Sequence, residues 1–569
     1  MRNFKREIAE TLARLELGLD ENQIEEALET PPSRELGDYA FPCFPLARVL
    51  RKSPAIIAQE IAGTITADFL EKVETKGAYL NFFISPAAIA ETTLTEIFRR
   101  QDRYGATEQG KGQRVCIEFS STNIAKPFHI GHIRSTVQGD ALAAIYEFLG
   151  YETVRINYLG DYGTQFGMLI RAFQRWGDEK ALSEDPIAYL LSLYVRYNDE
   201  MGKDPALREE ARASFAALEG GEEAEMALWK RFKELSLQEF QRIYELLEIR
   251  FDSWDGEYFH SQFIPLVLQE LREKNLLIED DGAMIVPLSE DIPPAMILKS
   301  NGTSTYLVRD IATALYRKRT YDFVESVYVV GTQQSLHFRQ LKEVLTKMGH
   351  AWAKDVHHVG FGMISLQDGS MSSRSGRVVF LEDVLKQAIE KTAEIMAMRN
   401  PDLENREQVA REVGIGAVKF QELYNNRIKD YTFSWEDVLN FDGETGPYVQ
   451  YSCARANRIV ERAAAELRMQ PDSAVDFSLL TEEEEKNLVR VLYDFPHVIQ
   501  QAKERKEPSL ITRHTAEIAK AFNKFYHRSP VFQASSPELS AARLSLTAAT
   551  ATVIRVGLQL LRIHAPERM

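Results

Sequence analysis

Glu118-Phe-Ser-Ser-Thr-Asn-Ile-Ala-Lys-Pro-Phe-His-Ile-Gly-His132 is the stretch whose reading decides the fold. In front of it, Val115–Phe119 is a short, mostly apolar run that reads as a strand. Behind it, Ile133, Val137, Ala141, Ile145 and Leu149 recur at helical spacing and stop at Gly150. His129-Ile-Gly-His132 therefore places two imidazoles one turn apart at a helix N-terminus, and Gly131 leaves room for a planar ligand group against the backbone. Free N–H groups and the helix dipole favour an anion there, and two histidines add donors for charge developing on a phosphate. Neither G-x-x-x-x-G-K-[ST] nor G-x-G-x-x-G occurs in the chain, so the stretch suits ATP α-phosphate chemistry without a Walker loop. A bare H-x-G-H equally fits ordinary helix-start residues or a metal pair. The flanking strand and helix, with Lys126 three residues upstream, favour the phosphate.

Outward from this stretch, Thr153–Tyr158 is strand-like, and Val324–Val330 leads into a helical stretch ending at Met348 and Gly349. The alternation over 114 to about 365 predicts an α/β, doubly wound, Rossmann-like parallel sheet. An acidic helical insertion, about 178–250, interrupts it; the part around Glu219–Glu225 reads as solvated surface without a function. The first hundred residues predict an α+β unit, with one helical stripe (Phe4, Ile8, Leu12, Leu15, Leu19) and a strand over 77–84. Residues 101–113 are polar, hold three glycines and read as a linker. After Phe380 almost everything reads as helix, and 441–569 as an all-α bundle. The expected domains are 1–105, 106–440 and 441–569.

A length of 569 residues suits about three or four domains. With 44% hydrophobic and 27% charged residues and a mean hydropathy of −0.28, the composition excludes disorder and collagen-like repeats. No run reaches the roughly 18 apolar residues of a membrane span, since even Ala541–Leu561 carries Arg543 and Arg555. The N-terminus does not read as a secretory signal. Cys43, Cys116 and Cys453 lie far apart and suit neither a disulfide framework nor a zinc site, so a reducing cytoplasm is expected. Net charge is −16, yet residues 501–569 hold eleven Lys or Arg against five acids, whereas the rest holds 57 against 79. A basic end on an acidic body fits an enzyme touching a polyanion over part of its surface; a chance fluctuation fits as well.

These motifs resemble those of class I aminoacyl-tRNA synthetases, and within them the chain is similar to arginyl-tRNA synthetases over nearly its whole length. Gly443-Glu-Thr-Gly-Pro-Tyr-Val-Gln-Tyr-Ser-Cys-Ala-Arg455 resembles the start of the family's anticodon-binding bundle, the N-terminal part its tRNA-elbow domain, and Ala565-Pro-Glu-Arg-Met569 its closing residues. The resemblance implies a ligase that joins L-arginine to tRNA(Arg) through arginyl-adenylate, using ATP with Mg²⁺ carried on its phosphates and no metal held by protein side chains. It implies a monomer that often binds tRNA before activation. His129, Gly131 and His132 match the ATP site. The family's Lys-Met-Ser-Lys-Ser loop corresponds to Ser370-Met371-Ser372-Ser373-Arg374, where both lysines are missing; Lys126 matches the position thought to compensate, and Arg374 and Arg377 could assist. A flexible polar surface loop is the plainer reading of 370–376.

Carboxylates match the planar fork of a guanidinium. Glu118 at a strand end and Asp310, four residues after Tyr306, are the candidates, and the resemblance maps all three onto contacts with the arginine side chain. It maps Ser121, Asn123 and Gln334 onto the α-amino and carboxylate groups. Without the resemblance, Asp310 reads as a cap for Ile311–Arg319 and Tyr306 as core. Tyr79 and Asn81 match positions that read a D-loop base. Tyr448, Tyr451, Arg455 and Arg458 share a helix face that, with Tyr526 and Met569, suits unstacked anticodon bases; an ordinary strand pair and a buried aromatic stripe are the alternatives. Two other readings remain: a smaller nucleotidyltransferase of the same H-x-G-H superfamily, against which the chain length tells, and an inactive RNA-binding paralogue, which the missing loop lysines favour.

Overall fold

The strand ahead of the signature stretch spans Arg114–Glu118 and is buried from Val115 onward. In the computed structural model, which describes residues 2–365, 379–438, 440 and 443–569, it lies inside a four-stranded, fully parallel sheet. Across the sheet the order is Val356–Phe361, Glu325–Gly331, Arg114–Glu118, Glu152–Ile156. The first two strands in the chain are neighbours, and the third crosses to the other side of the first. The order therefore reverses between Arg114–Glu118 and Glu325–Gly331, and the crevice beyond their carboxyl ends is where such sheets bind ligands. Glu118 ends one of these strands and Gly331 the other.

The helix Ile133–Phe148 has every residue but Glu147 buried, because it is covered by the sheet on one side and by Arg406–Tyr424 on another. Its approach to the sheet requires Gly139: a Cβ there would stand 2.1 Å from Cγ of Phe119. Arg134, in its first turn, is wholly buried against Glu422 of Arg406–Tyr424 at 2.6 Å. Tyr431 donates to the second oxygen of Glu422 (2.7 Å), and Gln138 donates to the first (3.2 Å). Removing one partner of such a pair leaves a charge without a counterion. Glu422→Leu should destabilise the fold by about 3–5 kcal/mol, read as a lower urea midpoint; an unchanged midpoint would contradict this.

The N-terminal part holds a three-stranded antiparallel sheet with Tyr79–Ile84 in the middle, between Tyr39–Pro42 and Leu70–Lys76. The first helix is shorter than its stripe. Phe4–Ala13 buries Phe4, Ile8 and Leu12, but Glu16 and Gly18 turn the chain through positive φ, and Leu15 is exposed. The presumed linker is also anchored. Tyr104 is fully buried, stacks on Phe495 (6.3 Å between centroids) and donates its hydroxyl to Leu492 O (3.0 Å). Its glycines serve turns, with Gly105 at φ 88° and Gly112 at φ 74°.

The last third is helical: Gly446–Arg462, Glu483–Arg505, Ser509–Arg528 and Pro537–Leu560. Pro537–Leu560 is apolar nearly all round because it is buried nearly all round. Eight of the eleven basic residues after 500 sit in ion pairs, including Lys503 and Lys506 with Glu325, Arg555 with Asp102 and Arg562 with Glu147. Much of that basic character joins the bundle to the acidic body. Among the described residues no helix is long and apolar enough to cross a membrane.

Candidate active site

The loop after Glu118 is held in an unusual backbone conformation. Ser120, Ser121 and Ala125 all have positive φ (66°, 48° and 58°), a region that costs non-glycine residues energy and persists only where surroundings impose it. Here the surroundings do. The Ser120 N–H donates to Ser135 Oγ (2.9 Å), the Ser120 hydroxyl meets Tyr244 Oη (2.7 Å), and the Ala125 N–H donates to Ser236 Oγ (2.8 Å). Tyr244 and Ser236 come from Glu223–Leu247, in the insertion to which the sequence assigned no function. That helix buries a stripe of Trp229, Phe232, Ser236, Phe240 and Tyr244. The two polar members of the stripe were the available signal.

A short turn, Ile130–His132, leads into Ile133–Phe148. His129 Nδ1 accepts the Gly131 N–H, and His132 Nδ1 accepts the His129 N–H, each at 3.1 Å. An accepting Nδ1 carries no proton, so each neutral ring bears its hydrogen on Nε2. The ring centroids lie 3.9 Å apart. Burial first, then the Lys126 charge, pushes His129 down to about 4; burial, then the His129 and Lys126 charges, pushes His132 down to about 3. Both are neutral donors near pH 7. Lys126 is partly buried, with Nζ 5.7 Å from the Tyr194 ring centroid. Residues 370–374 and Arg377, assigned from sequence to the second ATP loop, lie outside the described residues. The chain following them is tied to the histidine turn: the Ile130 N–H donates to Val379 O (3.0 Å) and the Leu381 N–H to Phe128 O (2.9 Å).

The sheet crevice gathers carboxylates. Glu118 is buried and paired with Arg317 (2.6 Å). Asp310 meets His337 Nε2 at 2.5 Å. It belongs to the interior of Tyr306–Tyr321, whose N-cap is Thr305, so it does not cap Ile311–Arg319. Tyr306 opens this helix and is 60% exposed, which removes the core alternative. Glu257, which the sequence reading missed, is largely buried, and its Oε2 has no hydrogen-bond partner among the described residues. Arg309 Nη2 stands 3.9 Å from that oxygen, with the Arg309 guanidinium between the Tyr162 and Tyr306 rings (5.0 and 4.6 Å). Burial pushes the Glu257 carboxyl up to about 8; Arg309 opposes this, while Asp310, Asp161 and Glu118 add to it. Asp161 itself is held by Lys233 (2.7 Å). Glu257 thus feels three other acids, and burial pushes the Glu118 carboxyl up as well despite Arg317, so the crevice is a place that a cation would stabilise.

The remaining assigned residues divide. Ser121 Oγ is buried beside Glu118, whose charged form it favours. Asn123 is exposed and bridges to Gly160, and Gln334 is exposed at the end of the turn Thr332–Gln334, just past the strand Glu325–Gly331. Tyr79 is partly exposed and packs edge-on against Phe44 (5.8 Å), whereas Asn81, between Ala40 and Glu74 in the sheet, keeps only 6% of its surface. Arg455 lies against the exposed rings of Tyr451 (4.7 Å) and Tyr526 (5.4 Å) and bonds Asn523. Tyr448 is half-buried, with its hydroxyl accepting from Asn523 (3.0 Å), and Arg458 is exposed. Met569 packs elsewhere, on the cluster of Met396 and Val409.

Known proteins match this arrangement along its length. Residues 93–435 match the family described as tRNA synthetases class I (R), catalytic domain; residues 449–569 match the DALR anticodon binding domain; and residues 2–84 match the arginyl tRNA synthetase N terminal domain. An arginine–tRNA ligase of Halothermothrix orenii is 51% identical over 571 residues, covering 100% of both chains, and one of Clostridioides difficile is 49% identical with the same coverage. The chain belongs to the arginyl-tRNA synthetase family. The Thermus thermophilus arginyl-tRNA synthetase structure superposes with a TM-score of 0.82 at 27% identity, covering 100% of each chain. The Plasmodium falciparum arginyl-tRNA synthetase structure, at 24% identity, shares the fold (TM-score 0.78, 95% of this chain and 94% of that one). As an arginyl-tRNA synthetase, the chain is a class I enzyme that uses ATP and charges tRNA through an aminoacyl-adenylate.

Proposed function

We propose that the acid cluster at the sheet crevice is the arginine pocket and the histidine turn the ATP site of one reaction centre, which joins L-arginine to tRNA(Arg). In the first step an oxygen of the arginine carboxylate attacks the α-phosphorus of ATP and pyrophosphate departs. In the second, the 2′-hydroxyl of the terminal ribose attacks the arginyl carbonyl and AMP departs. The protein forms no covalent bond; it positions the reactants and stabilises charge. His129 and His132 donate Nε2–H bonds towards the α-phosphate, with Gly131 beside them. Lys126, together with Met371, Ser372, Ser373 and Arg374, serves the other phosphates. Glu118, Asp310 and Glu257, with Tyr306, take the guanidinium, while Ser121, Asn123 and Gln334 take the α-amino and carboxylate groups. Mg²⁺ arrives on the ATP phosphates; among the described residues no three His, Cys, Asp or Glu stand together as a metal site. Tyr79 and Asn81 contact the tRNA elbow, and Tyr448, Tyr451, Arg455, Arg458, Tyr526 and Met569 the anticodon. The same reading makes the enzyme a cytoplasmic monomer, which sedimentation would test.

The observation that carries this reading is Glu257: a largely buried carboxyl with a raised pKa, whose Oε2 accepts no hydrogen bond among the described residues and which feels the charges of Asp310, Asp161 and Glu118. Arginine-dependent ATP–pyrophosphate exchange, with and without tRNA, tests it. No exchange in either condition, with arginine tRNA still bound, would favour an inactive RNA-binding paralogue.

A pH dependence follows. The guanidinium stays charged throughout this range, and it binds ionised Glu257. Because the carboxyl of the free enzyme titrates near 8, binding below that pH must expel a proton. The arginine KM should therefore rise about tenfold from pH 8 to pH 6.5. Glu257→Gln should raise the KM at pH 8 and flatten this dependence. A flat profile in the unaltered enzyme would return Glu257 to a structural role.

A further inference from the structure

Arg317 lies on Tyr306–Tyr321, seven residues and about two turns beyond Asp310, on the same helix face. It is 1% exposed. Its Nη1 is 2.6 Å from Glu118 Oε2, and its guanidinium sits between the rings of Tyr158 (5.4 Å) and Tyr328 (5.2 Å). Neither terminal amino group finds a well-aligned hydrogen-bond acceptor among the described residues, so the ion pair with Glu118 is the dominant contact of a wholly buried cation. The chain thus carries its own guanidinium against one of the acids assigned to the substrate's guanidinium.

The charge balance explains why. Burial drives a carboxyl to keep its proton, and the substrate's cation cannot prevent this before it arrives. The groups facing Glu118 are Arg317 and Asp310 from the helix, Glu257, and the phenols of Tyr158 and Tyr328. Of these only Arg317 is a cation, and arginine does not give up its proton in proteins. Burial pushes the Glu118 carboxyl up even so, and Arg317 is the largest influence opposing that rise, to which the Asp310 charge adds.

We propose that Arg317 is a positioning residue of the arginine pocket: its guanidinium, paired with Glu118, favours the ionised carboxylate and fixes its orientation towards the substrate. This rests on the reading of Glu118 as an arginine ligand, and the test separates the two. In the full-length enzyme, Arg317→Met should raise the arginine KM at pH 7 at least thirtyfold while the ATP KM stays within twofold. It should also add a steeper fall of the arginine KM between pH 7 and 9, and Arg317→Lys should recover most of the loss at pH 7. An arginine KM unchanged in folded Arg317→Met, or one without the added pH dependence, overturns the proposal.

A double variant serves where a lone buried charge prevents folding. Glu118→Gln with Arg317→Met buries no charge at this position, and its arginine KM should match that of Glu118→Gln alone within twofold. A further rise would show Arg317 acting otherwise than through Glu118 and would overturn the proposal. If Glu118→Gln by itself leaves the arginine KM unchanged, the reading of Glu118 fails and takes this proposal with it. If Glu118→Gln raises it and folded Arg317→Met does not, the proposal alone fails.

Discussion

Lys126→Ala should lower kcat for arginine activation about a thousandfold, near the upper end for loss of one preorganised charge-stabilising group, while tRNA affinity stays within twofold. The reason lies in where negative charge accumulates. As the α-phosphate is attacked, charge builds on the departing pyrophosphate, and a cation already in place stabilises that state more than the bound substrate. Both histidines are neutral near pH 7 and supply hydrogen bonds rather than full charge. The loop lysines typical of class I enzymes are missing from Ser370–Arg374. The Lys126 charge depresses both imidazoles of the histidine turn, which is the turn proposed here to meet the α-phosphate. Single-turnover adenylate formation measures the effect. A rate within tenfold of the unaltered enzyme would move the cation's role to another residue.

The second large effect is on substrate binding. Asp310→Asn keeps the shape and removes the charge proposed to face the substrate's guanidinium. Losing one partner of a buried, hydrogen-bonded charge pair costs about 2–5 kcal/mol. Because asparagine can still accept one hydrogen bond, the lower end applies, and the arginine KM should rise roughly fiftyfold with the ATP KM little changed. The variant also removes the acid that holds His337. His337→Ala separates the contributions: a KM rise there well below that of Asp310→Asn assigns the effect to the carboxylate. An unchanged arginine KM in Asp310→Asn would make this residue a structural member of its helix.

What the sequence disclosed follows from the range of its signals. The strand ending at Glu118, the histidine turn and the helix after it form one continuous run, and their periodicity survives into the fold with boundaries moved by about one residue. Glu257 was invisible for a different reason. In Trp254-Asp-Gly-Glu257-Tyr it looks like one acid in a polar turn, and only the fold sets it against Arg309 and Asp310. Arg317, within Tyr316-Arg-Lys-Arg319, looks like any basic residue in a last helical turn, where such residues favour the dipole. Its partner lies 199 positions away, a distance that no local pattern reports. The acidic part of the insertion around Glu219–Glu225 is largely exposed as its composition suggests, but composition says nothing of the buried face farther along the helix, where Ser236 and Tyr244 support the signature loop. The 101–113 segment is a turn-rich connection, as its glycines and polar residues suggest, and what they do not report is that Tyr104 pins it.

The pocket's acids imply that arginine is recognised by charge and not by shape alone. ATP–pyrophosphate exchange driven by arginine, compared with exchange driven by its uncharged isostere citrulline, measures this directly. The predicted kcat/KM for citrulline is lower by roughly a thousandfold or more, because the neutral isostere supplies neither the charge nor the full set of donors that a guanidinium offers these acids. Comparable exchange with the two amino acids would contradict the assignment of Glu118, Asp310 and Glu257 to the substrate's side chain.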